Sequence, residues 1–369
     1  MTGPLQGVKV VEMAGIGPIS FAGMLLADLG AEVTRVERPA GSGFGWGTSP
    51  VLDRGRTHRE VDLKSAAGLE EVLGLVVASE VLIEGFRPGV MERLGLGPEE
   101  CLGRNPALVY GRMTGWGQSG RYAHTAGHDI TYLAISGALH MVGEEGGKPV
   151  PPVNLLGDFG AGGIYLAFGV VSALLHARAG GVGQVVDAAI VDGAASVTGM
   201  LHGLLEIGAW KDERGVNLLD GGAPFYDCYQ CADGEWVAVG ALEPQFYAAL
   251  IEKLGLGEDA SLQAHLDPST WPAIRERFTA KFAARARDDW HELFADSDCC
   301  VAPVLSMREA REDGHNRDRG IFVEVGGMPQ PAPAPRFSVT APDLPHPAPA
   351  FDRVGPEAAP PAGAGTPDA

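Results

Sequence analysis

The sequence predicts an α/β protein: a parallel sheet covered by helices on both faces, then a second, smaller α+β region. Three observations lead there. The first third alternates short, continuous apolar runs with helical segments, the pattern of a doubly covered parallel sheet. The middle holds two long segments that are apolar nearly all round. From about residue 222 the pattern changes to a hairpin followed by helices.

In order, "GVKVVEMA" is a β-branched strand and "SFAGMLLADLG" a helix ending on Gly30. "AEVTRVER" is the second strand, and "LKSAAGLEEVLGLVVASE" a helix with Ser65 as N-cap. "VLIEGF" is a third strand and "ALVYGRMTGWG" contains a fourth. Ligands of such sheets bind beyond the carboxyl ends of the strands. Phe159–Ala179 and Gly193–Trp210 read as two long helices, buried in a core or between subunits, with the strand "GQVVDAAIV" between them. "APFYDCYQCADGEWVAVGAL" is a hairpin turning at Asp233–Gly234, and "EPQFYAALIEKLGL" a helix. Two more helices precede "CCVAPVLS". The Pro- and Ala-rich chain after Pro329 reads as extended, and as disordered after about Val354.

Composition narrows the function. The 369 residues are 45% hydrophobic and 20% charged, as in ordinary globular proteins. A net charge of -19 disfavours nucleic acid as a partner. The longest uncharged apolar stretch, Phe159–Leu175, is glycine-rich and solitary. It reads as a buried helix rather than a bilayer span. With no basic n-region before an apolar run at the start, a cytoplasmic location is the expectation. Five cysteines argue against a disulfide framework. Cys228 and Cys231 form a C-x-x-C, but Cys299–Cys300 is a poor second pair for zinc, so the cysteines read as packing residues.

Two sets of residues could carry chemistry. Arg38, Arg54, Arg56, Lys64, Arg87 and Arg93 cluster where the first strands end. They suit phosphates, or they form salt bridges with the many acids; the residues alone leave both open. The glycine run Gly41–Gly47 lacks the strand–turn–helix context of a dinucleotide or P-loop motif. The second set is acidic. Asp129 follows His128 where a turn meets an apolar segment, and reads either as an N-cap or as part of a proton-transfer site. Asp158 opens an apolar helix whose first turns hold Gly160, Gly162 and Gly163. Each glycine costs a helix about 1 kcal/mol relative to alanine, so close approach by a helix or ligand is expected. Glu243 stands at a strand–helix junction before Pro244, as a helix-start carboxylate would.

Taken together, the segments "LQGVKVVEMAGIGP", "LLADLGAEVTRVERP", "LIEGFRPGVMERLGLGPEE", "RMTGWGQSG", "AGHDITY", "PVNLLGDFGAGG", "GQVVDAAIVDG" and "GALEPQFY" resemble the family III CoA-transferase (CaiB/BaiF) superfamily. "AGHDITY", the "NLLGDFG" spacing and "GALEPQFY" point to its α-methylacyl-CoA racemase branch. The resemblance implies a Rossmann-like large domain over residues 1–190, completed by about 325–369. It also implies a linker helix over 191–221, a small domain over 222–305 and a return linker over 306–324. Two subunits would interlock as rings, with each active site between the large domain of one and the small domain of the other.

The implied chemistry is a 1,1-proton transfer at the α-carbon of a 2-methylacyl-CoA thioester through an enolate. His128 and Asp158 would serve opposite faces. Glu243, from the partner chain, would hold the His128 tautomer, and Asp129 would fix the local geometry. Backbone N–H groups near the glycine-rich helix start are candidates for the enolate oxygen. CoA would be held by Arg38, Val61, Asp62, Leu63, Lys64, Gly85, Phe86, Arg87 and Arg93, with Gly127 and Tyr132 beside the histidine. No metal or separate cofactor is implied, since CoA is part of the substrate. "DRGRTH" departs from the family pattern at Asp53 and Thr57, which leaves Arg54 and Arg56 outside the implied CoA site.

Two rival activities define the discriminating features. In a CoA-transferase an aspartate at the Asp158 position attacks the acyl group, through an anhydride. Such transferases generally lack the adjacent His-Asp pair and the matching Glu. A non-catalytic acyl-CoA binding protein would need the phosphate pocket but no opposed titratable groups. A nicotinamide dehydrogenase would need the missing glycine fingerprint.

Overall fold

The structure is a computed structural model that describes residues 2–39 and 49–348. The Gly41–Gly47 run and the tail around Val354 lie outside the described residues. The chain divides into two compact units: 1–125, 162–189 and 322–369 form one, and 126–161 with 190–321 form the other. The segment 126–161, which carries His128, Asp129 and Asp158, groups with the second.

The first unit contains a six-stranded parallel sheet. Its strands are β1 (Lys9–Met13), β2 (Glu32–Glu37), β3 (Arg56–Glu60), β4 (Val81–Glu84), β5 (Val109–Thr114) and β6 (Gln184–Ala189). Their order is β3-β2-β1-β4-β5-β6. The chain runs outward from β1 to β3, then returns to β4 on the other side of β1. That reversal makes the crevice beyond β1 and β4 the topological switch point. Helix α1 (Pro18–Asp28) follows β1, with Pro18 in its first turn. Helix α2 (Ala66–Val77) is capped as expected: Ser65 Oγ accepts the Gly68 N–H at 3.0 Å. Short helices α3 (Val90–Arg93) and α4 (Pro98–Arg104) lead to β5.

The sequence reading did not contain β3. "RTHRE" has no apolar alternation because it is the sheet's edge, where only one neighbour must be satisfied. Its first residue belongs to a buried ion network instead. Glu12 of β1 is fully buried and pairs with both Arg35 and Arg56. Asp53 lies 3.3 Å from Arg56 and 3.9 Å from Arg35. Arg54 grips Asp28 at 2.6 and 3.0 Å, and donates to Gln330 Oε1 and to the Pro331 carbonyl. This accounts for the unusual "DRGRTH": Asp53, Arg54 and Arg56 are internal.

In the second unit, helix α5 (Asp129–Ile135) leads to a π-helix, Leu155–Gly163. The π-helix continues into α6 (Ile164–Gly180), which packs on β5, β6 and α1 in the first unit. At Gly163 a Cβ would meet the Pro18 carbonyl at 2.8 Å and the Phe21 ring at 2.9 Å, so glycine permits the close crossing of α1. The expected burial of this segment is only half correct. Leu166, Val170, Ala173, Leu174 and Ala177 are buried, but Phe168 is 72% and Leu175 73% exposed. Gly193–Trp210 is not one long helix. It is α7 (Ile190–Val197) and α8 (Gly199–Glu206), parted at Thr198, and α8 has no buried residue.

An antiparallel sheet of β7 (Tyr226–Gln230), β8 (Trp236–Gly240) and β9 (Val301–Pro303) follows the hairpin reading. Its core is aromatic: Phe225, Tyr229, Phe278, Phe282, Trp290 and Phe294 interlock beneath α9 (Pro244–Lys253), α10 (Trp271–Phe282) and α11 (Arg287–Phe294). Among the cysteines, Cys101, Cys231 and Cys299 pack as expected, whereas Cys228 and Cys300 are exposed. After α12 (Glu309–Glu312) and α13 (Gly314–Asp318), the chain returns to the first unit through the hairpin β10 (Phe322–Val325) and β11 (Met328–Pro331). The expected extended tail thus begins with a paired strand.

The Arg54–Asp28 pair gives a direct test of this architecture. Asp28→Ala leaves a buried guanidinium without its carboxylate, and should cost about 3–5 kcal/mol in denaturant unfolding. Arg59→Ala removes an exposed pair with Glu71 on the same sheet edge and should cost under about 1 kcal/mol.

Candidate active site

His128, not Asp129, occupies the N-cap of α5, in extended backbone with φ −137 and ψ 169. Thr131 Oγ1 accepts the His128 N–H at 3.0 Å, which fixes the turn. Asp129 stands one residue inside the helix, and its carboxylate serves another element. Its Oδ1 accepts the Asp158 N–H at 2.7 Å, and the carboxylate also accepts the Gly157 N–H. The expectation that Asp129 caps its own helix is therefore corrected: it ties α5 to the π-helix. Glycine at 157 is required for this approach, since a Cβ there would lie 2.2 Å from Asp129 Oδ1.

Asp158 lies within the π-helix rather than at the cap of an α-helix. A π-helix widens the turn at the cost of poorer packing, and such segments concentrate at functional sites. Burial, and after it the Asp129 charge, raise the Asp158 carboxyl to about 6. A hydrogen bond with the Asn154 side chain and the charge of His128 oppose the rise. His128 is itself exposed. Burial also raises Asp129, against its two backbone hydrogen bonds. Its Oδ2 is buried with no hydrogen-bond partner among the described residues.

Three amides of the π-helix, those of Gly157, Asp158 and Phe159, are not free donors for an enolate oxygen. The N–H groups of Gly157 and Asp158 go to Asp129, and that of Phe159 to the Asn154 carbonyl at 3.3 Å. The expectation that these amides serve as an oxyanion hole is corrected for these three positions.

Glu243 occupies the N-cap of α9 with Pro244 behind it, as read, but its side chain makes no capping bond. It is exposed and lies beside Cys300, whose thiol is raised by burial and by the Glu243 charge. Among the described residues none of its contacts is to His128. Among the described residues, two that are not glycine adopt left-handed backbone, Val153 at φ 57 and Cys300 at φ 51. One immediately precedes Asn154, and the other adjoins Glu243. Such positions cost on the order of 1–3 kcal/mol and cluster where function holds them.

In the first unit, the basic residues sort into two groups. Arg35, Arg54, Arg56, Arg59, Arg104 and Arg112 all pair with carboxylates. Arg38, Lys64, Arg87 and Arg93 are exposed and carry no ion pair among the described residues. Arg38 follows β2 and Val61–Lys64 follow β3; Gly85–Arg87 follow β4 at the switch point, and Arg93 ends α3. Val61 is buried, Leu63 and Phe86 half-buried, and Asp62 and Gly85 exposed. The structure thus places this set along one edge of the sheet, where an anion would meet unpaired cations. Gly127 and Tyr132 flank the histidine in the second unit, with Tyr132 buried.

The sequence reading missed Asn154, four residues before Asp158, although helical spacing from the aspartate points to it. It also missed Glu84 and Arg112, whose partners only the sheet register reveals. Arg112 Nε donates to Glu84 Oε1 at 2.9 Å across β4 and β5. Burial raises the Glu84 carboxyl to about 6, while the Phe86 amide and Arg112 pull it back.

Comparison with known proteins places this geometry. Alpha-methylacyl-CoA racemase of Mus musculus is 46% identical over 337 residues, spanning 91% of this chain and 87% of its own length. Alpha-methylacyl-CoA racemase of Homo sapiens is 45% identical, spanning 89% and 86%. The crystal structure of a CAIB/BAIF family protein from Brucella suis superposes with a TM-score of 0.80 at 27% identity, covering 95% of this chain and 97% of that one. Residues 5–353 match the family model of CoA-transferase family III. With the match running through the sheet, the π-helix and the small antiparallel sheet alike, this chain belongs to CoA-transferase family III.

Proposed function

We propose that the chain interconverts the (2R) and (2S) epimers of 2-methylacyl-CoA thioesters by 1,1-proton transfer. The observation that carries this reading is the Asp158 carboxyl, raised to about 6 within reach of the His128 charge and beside Asp129. A carboxyl raised into this range can both take and give a proton, which suits a reaction that must run both ways. The racemases of mouse and human that match nine-tenths of the chain support the same activity.

In this mechanism the thioester makes the α-proton acidic enough for a side-chain base. One of His128 and Asp158 takes it from one face, and the other delivers a proton to the opposite face of the enolate. In both directions the pair holds one proton. Asp129 keeps Asp158 in place through its own amide, and Asn154 orients the Asp158 carboxylate. Arg38, Lys64, Arg87 and Arg93 bind the phosphates of CoA, as unpaired cations at strand ends can. The acyl tail lies in a cavity of about 450 Å³ lined by Val142, Leu156, Val197, Met200, Leu201 and Trp210.

The working form is a homodimer. The exposed apolar face of α6 and the wholly unburied α8 support it, since monomers rarely leave such faces open. The exposed Glu243 is free to meet the partner subunit's His128 and hold its tautomer.

Proton NMR of a 2-methylacyl-CoA in D₂O tests the activity. The α-proton should exchange and both epimers should appear, and His128→Ala or Asp158→Ala should slow this by about 10²–10⁴-fold. Transfer of CoA to an added carboxylic acid without exchange would sink the racemase reading and favour the transferase. The pH profile tests the coupling. Asp158 takes a proton only as a carboxylate, so the rate in the direction that begins at Asp158 should fall as pH drops through about 6. Asp129→Asn removes a charge that raises Asp158, so the acid limb should move to lower pH. An unmoved limb would contradict the coupling. For the dimer, Phe168→Glu should yield monomers in sedimentation equilibrium.

A further inference from the structure

The loop after β4, Gly85–Gly89, carries Arg87 and leads into α3 and Arg93. It is held at both ends by one side chain. At its start, Glu84 is fully buried; its Oε2 accepts the Phe86 N–H at 2.7 Å and its Oε1 accepts Arg112 Nε at 2.9 Å. At its far end, Glu92 accepts Arg112 Nη1 at 2.8 Å and Nη2 at 3.3 Å. The guanidinium rests 5.8 Å from the Tyr110 ring, and the arginine is 6% exposed. Arg93 folds back over Gly89: a Cβ on Gly89 would sit 3.2 Å from Arg93 Nη1.

Glu92 is the critical neighbour. It adjoins Arg93 in sequence, lies five residues from Arg87, and its side chain is 44% exposed. An uncompensated carboxylate there would add a negative charge close in the chain to both cations. The planar guanidinium of Arg112 occupies both its oxygens, which a point charge could not do.

We propose that Arg112 is a positioning residue for CoA: it fixes the Gly85–Gly89 loop through Glu84, and holds Glu92 off Arg87 and Arg93 so that both stay free for phosphate. This rests on the reading of that loop as part of the CoA site.

Calorimetric titration with free CoA tests it, because binding needs no turnover. Arg112→Gln should weaken CoA by about tenfold or more, the scale of one charged hydrogen bond. The double variant Arg112→Gln, Glu92→Gln removes the stray carboxylate and should return the affinity to within about threefold of wild type. A residue that only stabilised the fold would show no such recovery. Should Arg112→Gln not fold, Arg112→Lys keeps the buried charge but cannot hold both carboxylates, and should also weaken CoA. Folded variants that bind CoA like wild type, or a double variant as weak as the single, would overturn the proposal alone. A wild-type protein that does not bind CoA would overturn the CoA site itself, and this inference with it.

Discussion

The Asp129 carboxylate, bonded to the backbone amides of Gly157 and Asp158, is the contact on which the candidate site depends. It joins two elements 29 residues apart in the chain. It pins the π-helix backbone at Gly157 and Asp158, and hence the position of the Asp158 side chain. It also sets the chemistry, because it holds a second negative charge beside a half-buried carboxyl. A neutral amide at 129 could accept the same N–H groups but would supply no charge. Structure and acidity are therefore coupled through one side chain. The same bonds explain why glycine stands at 157 and why the amides of Gly157 and Asp158 are closed to a substrate oxygen.

The first unit solves a different electrostatic problem. A chain with a net charge of -19 pairs its cations selectively. The arginines inside the sheet are matched to buried acids and serve the fold, as Glu12, Asp28 and Asp53 show. Among the described residues, Arg38, Lys64 and Arg87 carry no ion pair and follow the carboxyl ends of β2, β3 and β4. Local pairing, not net charge, decides which surface attracts phosphate.

Much of this was legible in the sequence. Short apolar runs marked the inner strands because those are buried on both faces, and Ser65 marked its helix by cap chemistry. His128 and Asp129 stood out as a titratable pair at a helix start. The target of Asp129 was not legible, since nothing local to residue 129 names an amide near 158. β3 escaped because an edge strand need not be apolar. The π-helix escaped because its hydrogen-bond period leaves no distinct residue pattern, only glycines that fit several explanations. Apolar periodicity overstated the burial of α6 and α8, since it reports which residues avoid water but not which surface covers them. Arg54 and Arg56 could not be told from phosphate ligands until Asp28 and Glu12 were seen against them.

The central claim is that Asp158 is a proton-transfer group tuned by its surroundings, and its own titration tests this most directly. Carboxyl ¹³C shifts of aspartate-labelled protein, with the Asp158 signal assigned by its loss in Asp158→Asn, give the midpoint. The structure requires a midpoint near 6, from burial and the Asp129 charge. A midpoint near the ordinary aspartate value of about 3.9 would contradict it, leaving a carboxylate too weak a base to exchange protons with a thioester.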